Sequence, residues 1–316
     1  MVLSRRIASG NGLVRQLAED FEKAPVPESH KAMFRWVKKF VRGSREMTEA
    51  NVQTARATGV EHCDVVDWAQ LAALQTCFVV QADGGGVFFP DEAAIAVGQT
   101  RVWYASASEG LTAGATGPVV VPATGDSPAD GICWVETDTA SELFRESATR
   151  ARARWGVVPN LLVATSGGRA PALLPRQLMA LELLEAPQSR SLSPLLHALV
   201  RALVTSLNRS SYSTATIREQ VLAAGGSLET YGRVAEDYTL HDWDPTEGVV
   251  LGFAAKAALN AYRIDARDID AFRRVGLDDE AYLDVLATVA IQMGIDRIAN
   301  SLGVRPDAQP LIEKFG

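Results

Sequence analysis

Laid over itself with a shift of 217 positions, this 316-residue chain places residues 8–87 on residues 225–304 without a gap. Ala18-Glu19-Asp20-Phe21 falls on Ala235-Glu236-Asp237-Tyr238, Lys39 on Lys256, Arg56 and Gly59 on Arg273 and Gly276, and Asp67 and Gln75 on Asp284 and Gln292. Apolar positions keep the same step: Val52 with Ile269, Val60 with Leu277, Val66 with Leu283 and Phe78 with Ile295. A register held over several helical periods implies two copies of one helical module, each needing another surface to bury its apolar face. In many proteins that surface is an identical subunit; here the chain is expected to carry its own partner, as a pseudo-dimer. The copies differ in completeness. The second has about seventy residues in front of it and the first has almost none, so only one full unit, roughly residues 151–306, exists.

Helical periodicity runs through most of the chain. In His30–Arg42, Met33, Phe34, Val37 and Phe40 take one side while Lys31, Arg35, Lys38 and Lys39 largely take the other. Thr48 is placed to cap a helix closed by Gly59, and a longer, mostly apolar helix is expected over Cys63–Asp83. Further helices are expected over 139–155, 171–184, 192–207, 216–224, 228–238, 246–262, 265–275 and 279–301. Residues 88–138 break this pattern, being rich in Gly, Ala, Thr and Pro with β-prone islands at 101–104, 118–121 and 132–135. They read as an insert, either a linker or a functional cover. The expected fold class is therefore all-α, divided into a partial helical repeat (1–87), a loop-rich insert that holds short strands (88–138) and a complete helical unit (139–316).

A formal charge of −7 argues against general attraction to nucleic acid or to an anionic membrane. Cys63, Cys77 and Cys133 show neither paired nor metal-site spacing, which fits a reducing cytoplasm. No leader is legible in MVLSRRIASGNG, and no apolar run reads as long enough to span a bilayer. A cytoplasmic protein with no metal and no cofactor is expected.

One short stretch, Leu207–Ile217, gathers Ser210, Ser211, Tyr212, Ser213, Thr214 and Thr216. Such hydroxyls can cap a helix start or line a pocket with neutral hydrogen-bonding groups. Around it, Val158-Pro159-Asn160-Leu161-Leu162, then Leu277-Asp278-Asp279-Glu280, then Asp296-Arg297-Ile298-Ala299-Asn300-Ser301-Leu302-Gly303-Val304 resemble the alkyl hydroperoxidase D-like, or carboxymuconolactone decarboxylase-like, superfamily. The last run is similar to a family pattern of N-R-hydrophobic-A-D-x-L-G-V. The resemblance implies that family's helical fold over the second half directly, and over residues 8–87 through the repeat.

In the peroxidase branch of that family, a Cys-x-x-Cys is followed four residues on by His and preceded by a Glu twelve residues before the first Cys. Registering Leu207-Asn208 on the family's L-N puts Ser210 and Ser213 at the two cysteines, Ile217 at the His and Ala198 at the Glu. A serine hydroxyl is not ionised near neutral pH and cannot cycle through a disulfide, so the resemblance does not carry thiol peroxidase activity. The decarboxylase branch works without a dithiol, and its acid–base residues find no match here.

The remaining candidates are assigned as follows. Ser210, Tyr212 and Ser213 would form the reacting site with His197, beside the vacated Glu position, as a relocated general base; the alternative is a helix-face histidine with a satisfied hydrogen bond. Thr216, His241, Trp243 and Arg297 would bind substrate. His241-Asp242-Trp243-Asp244 is equally read as a helix cap with a Trp anchoring a turn, and Arg297 as structural. The recurrence of Glu236 and Asp237 as Glu19 and Asp20 points to a capping or packing role in both modules. Two functions follow. One is a cofactor-free lyase, isomerase or cyclase for a small organic molecule, in a homo-oligomer. The other is a catalytically inactive relative serving as a binding or assembly subunit. A closed cavity reaching Ser210, Tyr212 and Ser213 favours the first, and a cavity filled by side chains the second.

Overall fold

The computed structural model describes residues 11–86, 141–308 and 310–311, and over them the chain is helical with no strand. The insert 88–138, its β-prone islands and Cys133 lie outside the described residues. The first module is α1 (Asn11–Asp20), α2 (Glu28–Gly43), α3 (Glu49–Arg56) and α4 (His62–Gly84). A middle group follows: α5 (Glu142–Trp155), α6 (Asn160–Thr165), α7 (Leu174–Leu183), α8 (Pro194–Asn208) and α9 (Ser211–Ala223). The last module is α10 (Leu228–Asp237), α11 (Pro245–Asn260), α12 (Ala266–Arg274) and α13 (Asp279–Leu302).

Adding 217 to the bounds of α1 and α2 gives the bounds of α10 and α11, and the 3-10 turn Ser44–Glu46 becomes Ala261–Arg263. The remaining two pairs, α3 with α12 and α4 with α13, differ by one residue at their C-terminal ends. Local chemistry repeats with the same step. Asn51 Oδ1 accepts the Thr48 N–H at 2.9 Å and a bond from Lys39 Nζ at 3.1 Å; Asp268 accepts the Asp265 N–H at 2.7 Å and a bond from Lys256 at 2.7 Å. Asp20 and Asp237 each accept the backbone N–H two residues on. Gly59 and Gly276 close α3 and α12 at φ +88° and +82°, a conformation open to glycine at no steric cost.

The two modules pack through α4 and α13, whose contact is the most extensive between any two helices. It is reciprocal in the manner of a two-fold axis. Cys77 and Gly294 are equivalent under the shift and touch one another: a Cβ on Gly294 would stand 2.8 Å from Cys77 Sγ. Cys77 Sγ lies 3.0 Å from Ala290 O, while Ala73, the counterpart of Ala290, lies against Gly294. Likewise α4 packs on the 261–263 turn as α13 packs on the 44–46 turn. Only small residues permit this approach. A Cβ at Gly84 would meet Leu286 Cδ1 at 2.4 Å.

Two large apolar cores result among the described residues, beside a small cluster of Phe144, Ala148, Leu162 and Leu174. One, around Phe40, Val65, Ala69, Trp155, Leu161 and Ile298, joins the first module to α5, α6 and the C-terminal half of α13. The other, around Leu199, Leu203, Val250, Phe253, Phe272 and Tyr282, is built on α8, α11 and α13. By length and composition α4 is long and apolar enough to cross a membrane, which corrects the expectation that no run would be. Its Val65, Val66, Ala69, Ala72, Ala73 and Val80 are buried within the fold.

The middle group differs most from the sequence expectation. Asn160–Thr165 forms a short helix, α6, not expected from periodicity. The hydroxyl stretch is not a loop before a helix at 216: α9 begins at Ser211, so Tyr212, Ser213 and Thr216 stand on its first turns. A tight corner makes this possible. Arg209 takes φ 51°, ψ 47° at the end of α8, and it alone has a positive φ among described non-glycine residues. Ser210 then sits at the N-cap position but its side chain makes no capping bond.

Candidate functional site

Helix α8 is buried at every position from Leu196 to Ser206. A helix enclosed on all sides has no solvent to satisfy its polar groups, so His197, Arg201 and Thr205 must find partners inside the protein. They recur every four residues and so stand on one face. Facing them, α13 carries Thr288, Gln292, Asp296 and Asn300 at the same spacing. The two stripes form a buried ladder. His197 Nε2 shares a 3.1 Å hydrogen bond with Thr288 Oγ1, Arg201 Nε donates to Gln292 Oε1 at 3.0 Å, and Thr205 Oγ1 donates to Asp296 Oδ2 at 3.2 Å. Asn208 Nδ2 also donates to Asp296 Oδ2, at 3.1 Å, and Asn300 Nδ2 donates to Asn208 O at 2.8 Å.

The ladder converges on Asp296, which is completely buried. Its second oxygen accepts from Ser213 Oγ at 2.6 Å and from Gln292 Nε2 at 2.8 Å. Burial pushes this carboxyl above its ordinary range, while the bonds from Ser213, Asn208 and Gln292 pull it back. Four converging donors suit a carboxylate, which only accepts; a protonated acid would set its own O–H among them. The nearest ladder cation is Arg201, linked to Asp296 through the Gln292 side chain rather than by a direct ion pair. Burial lowers the Arg201 guanidinium to about 10, and the charges of Asp296 and Glu185 oppose that shift. Ser210 is also fully buried. It lies close enough to help stabilise the Asp296 charge, but its hydroxyl makes no hydrogen bond of acceptable geometry.

Next to Ser213 is a cavity of about 20 Å³, lined by Leu181, Arg201, Tyr212, Ser213, Thr216, Gln220, Ile295 and Leu311. That is room for about one water molecule. Most of the polar atoms around it are already engaged: Thr216 Oγ1 accepts the Leu311 N–H at 3.2 Å, and Gln220 accepts from Arg201. Near Tyr212 lies Asp307, whose Oδ1 accepts the N–H of Asn160 at 2.5 Å, at the start of α6. Burial raises the Asp307 carboxyl to about 7, against the Asn160 N–H bond and the nearby Tyr212 hydroxyl, which lower it. Burial, reinforced by Asp307, raises the Tyr212 phenol well above its ordinary value. The Tyr212 hydroxyl is near Asp307 without a hydrogen bond of good geometry.

The sequence candidates separate clearly. Tyr212, Ser213 and Thr216 meet at the cavity, and Ser210 adjoins them through Asp296. His197 does not face the cavity. It is 2% exposed and bound to Thr288, and burial, with Arg201 nearby, lowers its pKa to about 3. A base so weak and so enclosed has neither the affinity for a proton nor the access that general-base work requires. Nor do His241 and Trp243 line the cavity. Trp243 Nε1 donates to Tyr238 O at 2.8 Å, the Arg233 guanidinium stacks 4.4 Å from its ring, and Asp244 caps α11. Arg297 is buried at the α4–α13 contact, where it donates to Thr76 Oγ1 at 3.3 Å. Cys77 is half-buried near it and raised to about 11 by loss of solvent, and Cys63 lies against Arg169. No group of three or more His, Cys, Asp or Glu able to hold a metal occurs among the described residues.

Asp296, Arg201, Gln292 and Asp307 were not singled out as site residues. The signal for the first three was present as polar residues at i, i+4 spacing in two otherwise apolar helices. Asp296 also departs from the family pattern its segment resembles: the pattern has Asn there and Asp at the place of Asn300, and this chain exchanges the two.

Comparison with known proteins yields no matching family model and no matching curated protein. Solved structures do match. An uncharacterized peroxidase-related protein from Silicibacter sp. TM1040 superimposes with a TM-score of 0.50 at 20% identity, covering 60% of this chain and 96% of that one. The fold is alkyl hydroperoxidase D-like. A second structure, the alkylhydroperoxidase AhpD core of an uncharacterized peroxidase-related protein from Ralstonia eutropha JMP134, has a TM-score of 0.48 at 20% identity, with 58% of this chain and 96% of that chain covered.

Proposed function

We propose that this chain is a non-peroxidase protein built on the alkyl hydroperoxidase D-like fold, in which the dithiol position has become structural core and which acts by binding or assembly rather than by turnover. One observation carries the reading. The space at Tyr212, Ser213 and Thr216 has a volume of about 20 Å³, enough for a water molecule and far below what an organic substrate fills. The Ser213 hydroxyl is committed at 2.6 Å to Asp296, whose two oxygens already accept from Thr205, Asn208 and Gln292 as well. Hydroperoxide consumption under air, by the wild type and by a Cys63→Ser, Cys77→Ser, Cys133→Ser variant, tests the negative half. Neither is expected to exceed the uncatalysed rate. Robust turnover that survives all three substitutions would overturn the reading.

A second reading is favoured by one feature, the pair of carboxyls near Tyr212, Asp296 buried and Asp307 half-buried. Asp307, held near neutral pH, and Asp296, held as a carboxylate by its donors, are groups whose environments differ in the way acid–base pairs do. On this reading the protein is a cofactor-free lyase or isomerase whose cavity opens to admit a small metabolite. A thermal-shift screen of small carboxylic and hydroxy acids separates the two. A ligand whose stabilisation disappears in Asp307→Asn supports the enzyme, and a flat screen supports the structural core.

A further inference from the structure

The repeat gives each corner of the first module an internal control in the second, and at one corner the two disagree. Arg273, at the end of α12, holds a carboxylate from the start of α13. Its Nε and Nη2 donate to the two oxygens of Asp279, each at 3.0 Å, and its Nη1 reaches Asp270 at 3.4 Å. Under the shift of 217 these three residues are Arg56, His62 and Gln53. Arg56 keeps the lesser bond, from Nη1 to Gln53 Oε1, at the same 3.4 Å. Its Nε and Nη2 have no partner among the described residues, because the position of Asp279 belongs to His62. Nδ1 of His62 is itself buried and makes no hydrogen bond. Both side chains line one open groove of about 540 Å³, whose wall continues over Ala57, Gly59 and Val60.

We infer that this groove binds a small organic acid through its carboxylate, which takes on Arg56 the place that the Asp279 side chain takes on Arg273. The second module shows that the shared backbone presents the guanidinium for two parallel N–H···O bonds, the geometry a planar carboxylate accepts. Burial, with the Arg56 charge added, holds the His62 imidazole below its ordinary pKa, so the ring is neutral at neutral pH. A neutral ring can carry its proton on Nδ1 and donate it to the same anion. The surrounding charges select a monoanion. One guanidinium balances one carboxylate, and Glu61, on the same groove with its Oε2 held by Arg169 at 2.6 Å, repels a second negative charge. A phosphate dianion is disfavoured on that ground. Ala57, Gly59 and Val60 suit an uncharged ligand body, and the volume falls within the range of small-molecule sites. The groove shares no lining residue with the cavity beside Ser213, so the inference stands apart from either reading of that region.

Ligand-observed NMR on the full chain tests it, by saturation transfer to benzoate and to propionate at constant ionic strength, with chloride and inorganic phosphate as competitors. Saturable binding of at least one acid is expected, not displaced by equimolar chloride or phosphate, together with a shift of the His62 ring resonance in histidine-labelled protein. Arg56→Gln is expected to weaken binding on the order of 10- to 100-fold, since a bidentate charge-assisted pair is lost. Arg56 is exposed and makes one long bond, so this variant is expected to keep the wild-type melting behaviour. His62→Asp supplies the missing carboxylate from within and is expected to abolish binding, whereas Arg273→Gln should leave it unchanged. No saturable binding of either acid overturns the inference, as does binding indifferent to Arg56→Gln. Displacement by chloride or phosphate as readily as by a second carboxylate also overturns it, because the groove would then be an unselective anion patch. An acid bound here registers in the thermal-shift screen above, but Arg56→Gln rather than Asp307→Asn cancels its effect, so the failure of one site is not the failure of the other.

Discussion

Helices α4 and α13 have the same length to within a residue, the same start and matching contacts across their shared axis, yet one holds a buried polar ladder and the other an open apolar stripe. Gln75 and Gln292 express the difference most simply. They are equivalent under the repeat; the first is exposed, while the second is fully buried and bridges Arg201 to Asp296. What distinguishes them is the presence of α8 and α9 over one face only. Covering a helix face in this molecule therefore meant supplying a partner for each polar group, and α8 and α9 supply them as Arg201, Thr205, Asn208 and Ser213.

The comparison can be broken most severely at Asp296. Asp296→Ala removes the acceptor for Thr205, Asn208, Ser213 and Gln292 and leaves Arg201 with only Glu185 of its two balancing charges. A loss of about 3–5 kcal/mol in unfolding free energy is expected by denaturant titration. The equivalent change on α4, Val79→Ala, lies on the half-open face and is expected to cost roughly 1 kcal/mol.

Acidity gives the next largest effect. Asp307 is raised from an ordinary value near 3.8 to about 7 in the folded chain. Unfolded, it ionises near the ordinary value, so the folded state is favoured most below that pH. Stability is then lost as pH rises from about 4 to about 7, by up to ~4 kcal/mol if this group acts alone. Asp307→Asn should flatten that decline in melts taken across the range. Smaller again is the axis between the modules. Gly294→Val drives a side chain into Cys77 and is expected to cost about 1–3 kcal/mol; pairing it with Cys77→Gly should recover part of the loss, a coupling that a double-mutant cycle would read directly. Least costly is His197→Gln, which can keep a bond to Thr288. A change below roughly 1.5 kcal/mol is expected in denaturant melts, where a larger one would mean that the histidine does more than pair with the threonine.

The fold was legible in the sequence because its strongest signals are periodic. The shift of 217, the apolar spacing of α2 and α13, and the glycines at 59 and 276 each state a local geometry that tertiary packing then respected. The site was legible only in part. Ser213 and Thr216 drew notice as hydroxyls clustered in one stretch, but the carboxylate that organises them is 83 residues beyond Ser213. Asp296 stands in a run that reads as amphipathic until α8 is known to cover it. His197 misled for the same reason: an imidazole suggests a base, and only its enclosure by Leu199-side packing and Thr288 makes it a neutral hydrogen-bonding group. The α8–α9 corner was hidden because it relies on a positive φ at Arg209, a residue type that does not announce one.

Solvent access to position 213 tests the central claim most directly. In a background with Cys63, Cys77 and Cys133 changed to Ser, Ser213→Cys places one thiol at the Asp296 cluster, where a disulfide reagent can report on it under native conditions. A sealed core predicts that labelling is no faster than the opening of the fold itself, and that it accelerates only as denaturant approaches the unfolding midpoint. Labelling in native buffer as fast as that of the half-buried Cys63 in the wild type would mean an open, ligand-accessible pocket, and would contradict the account.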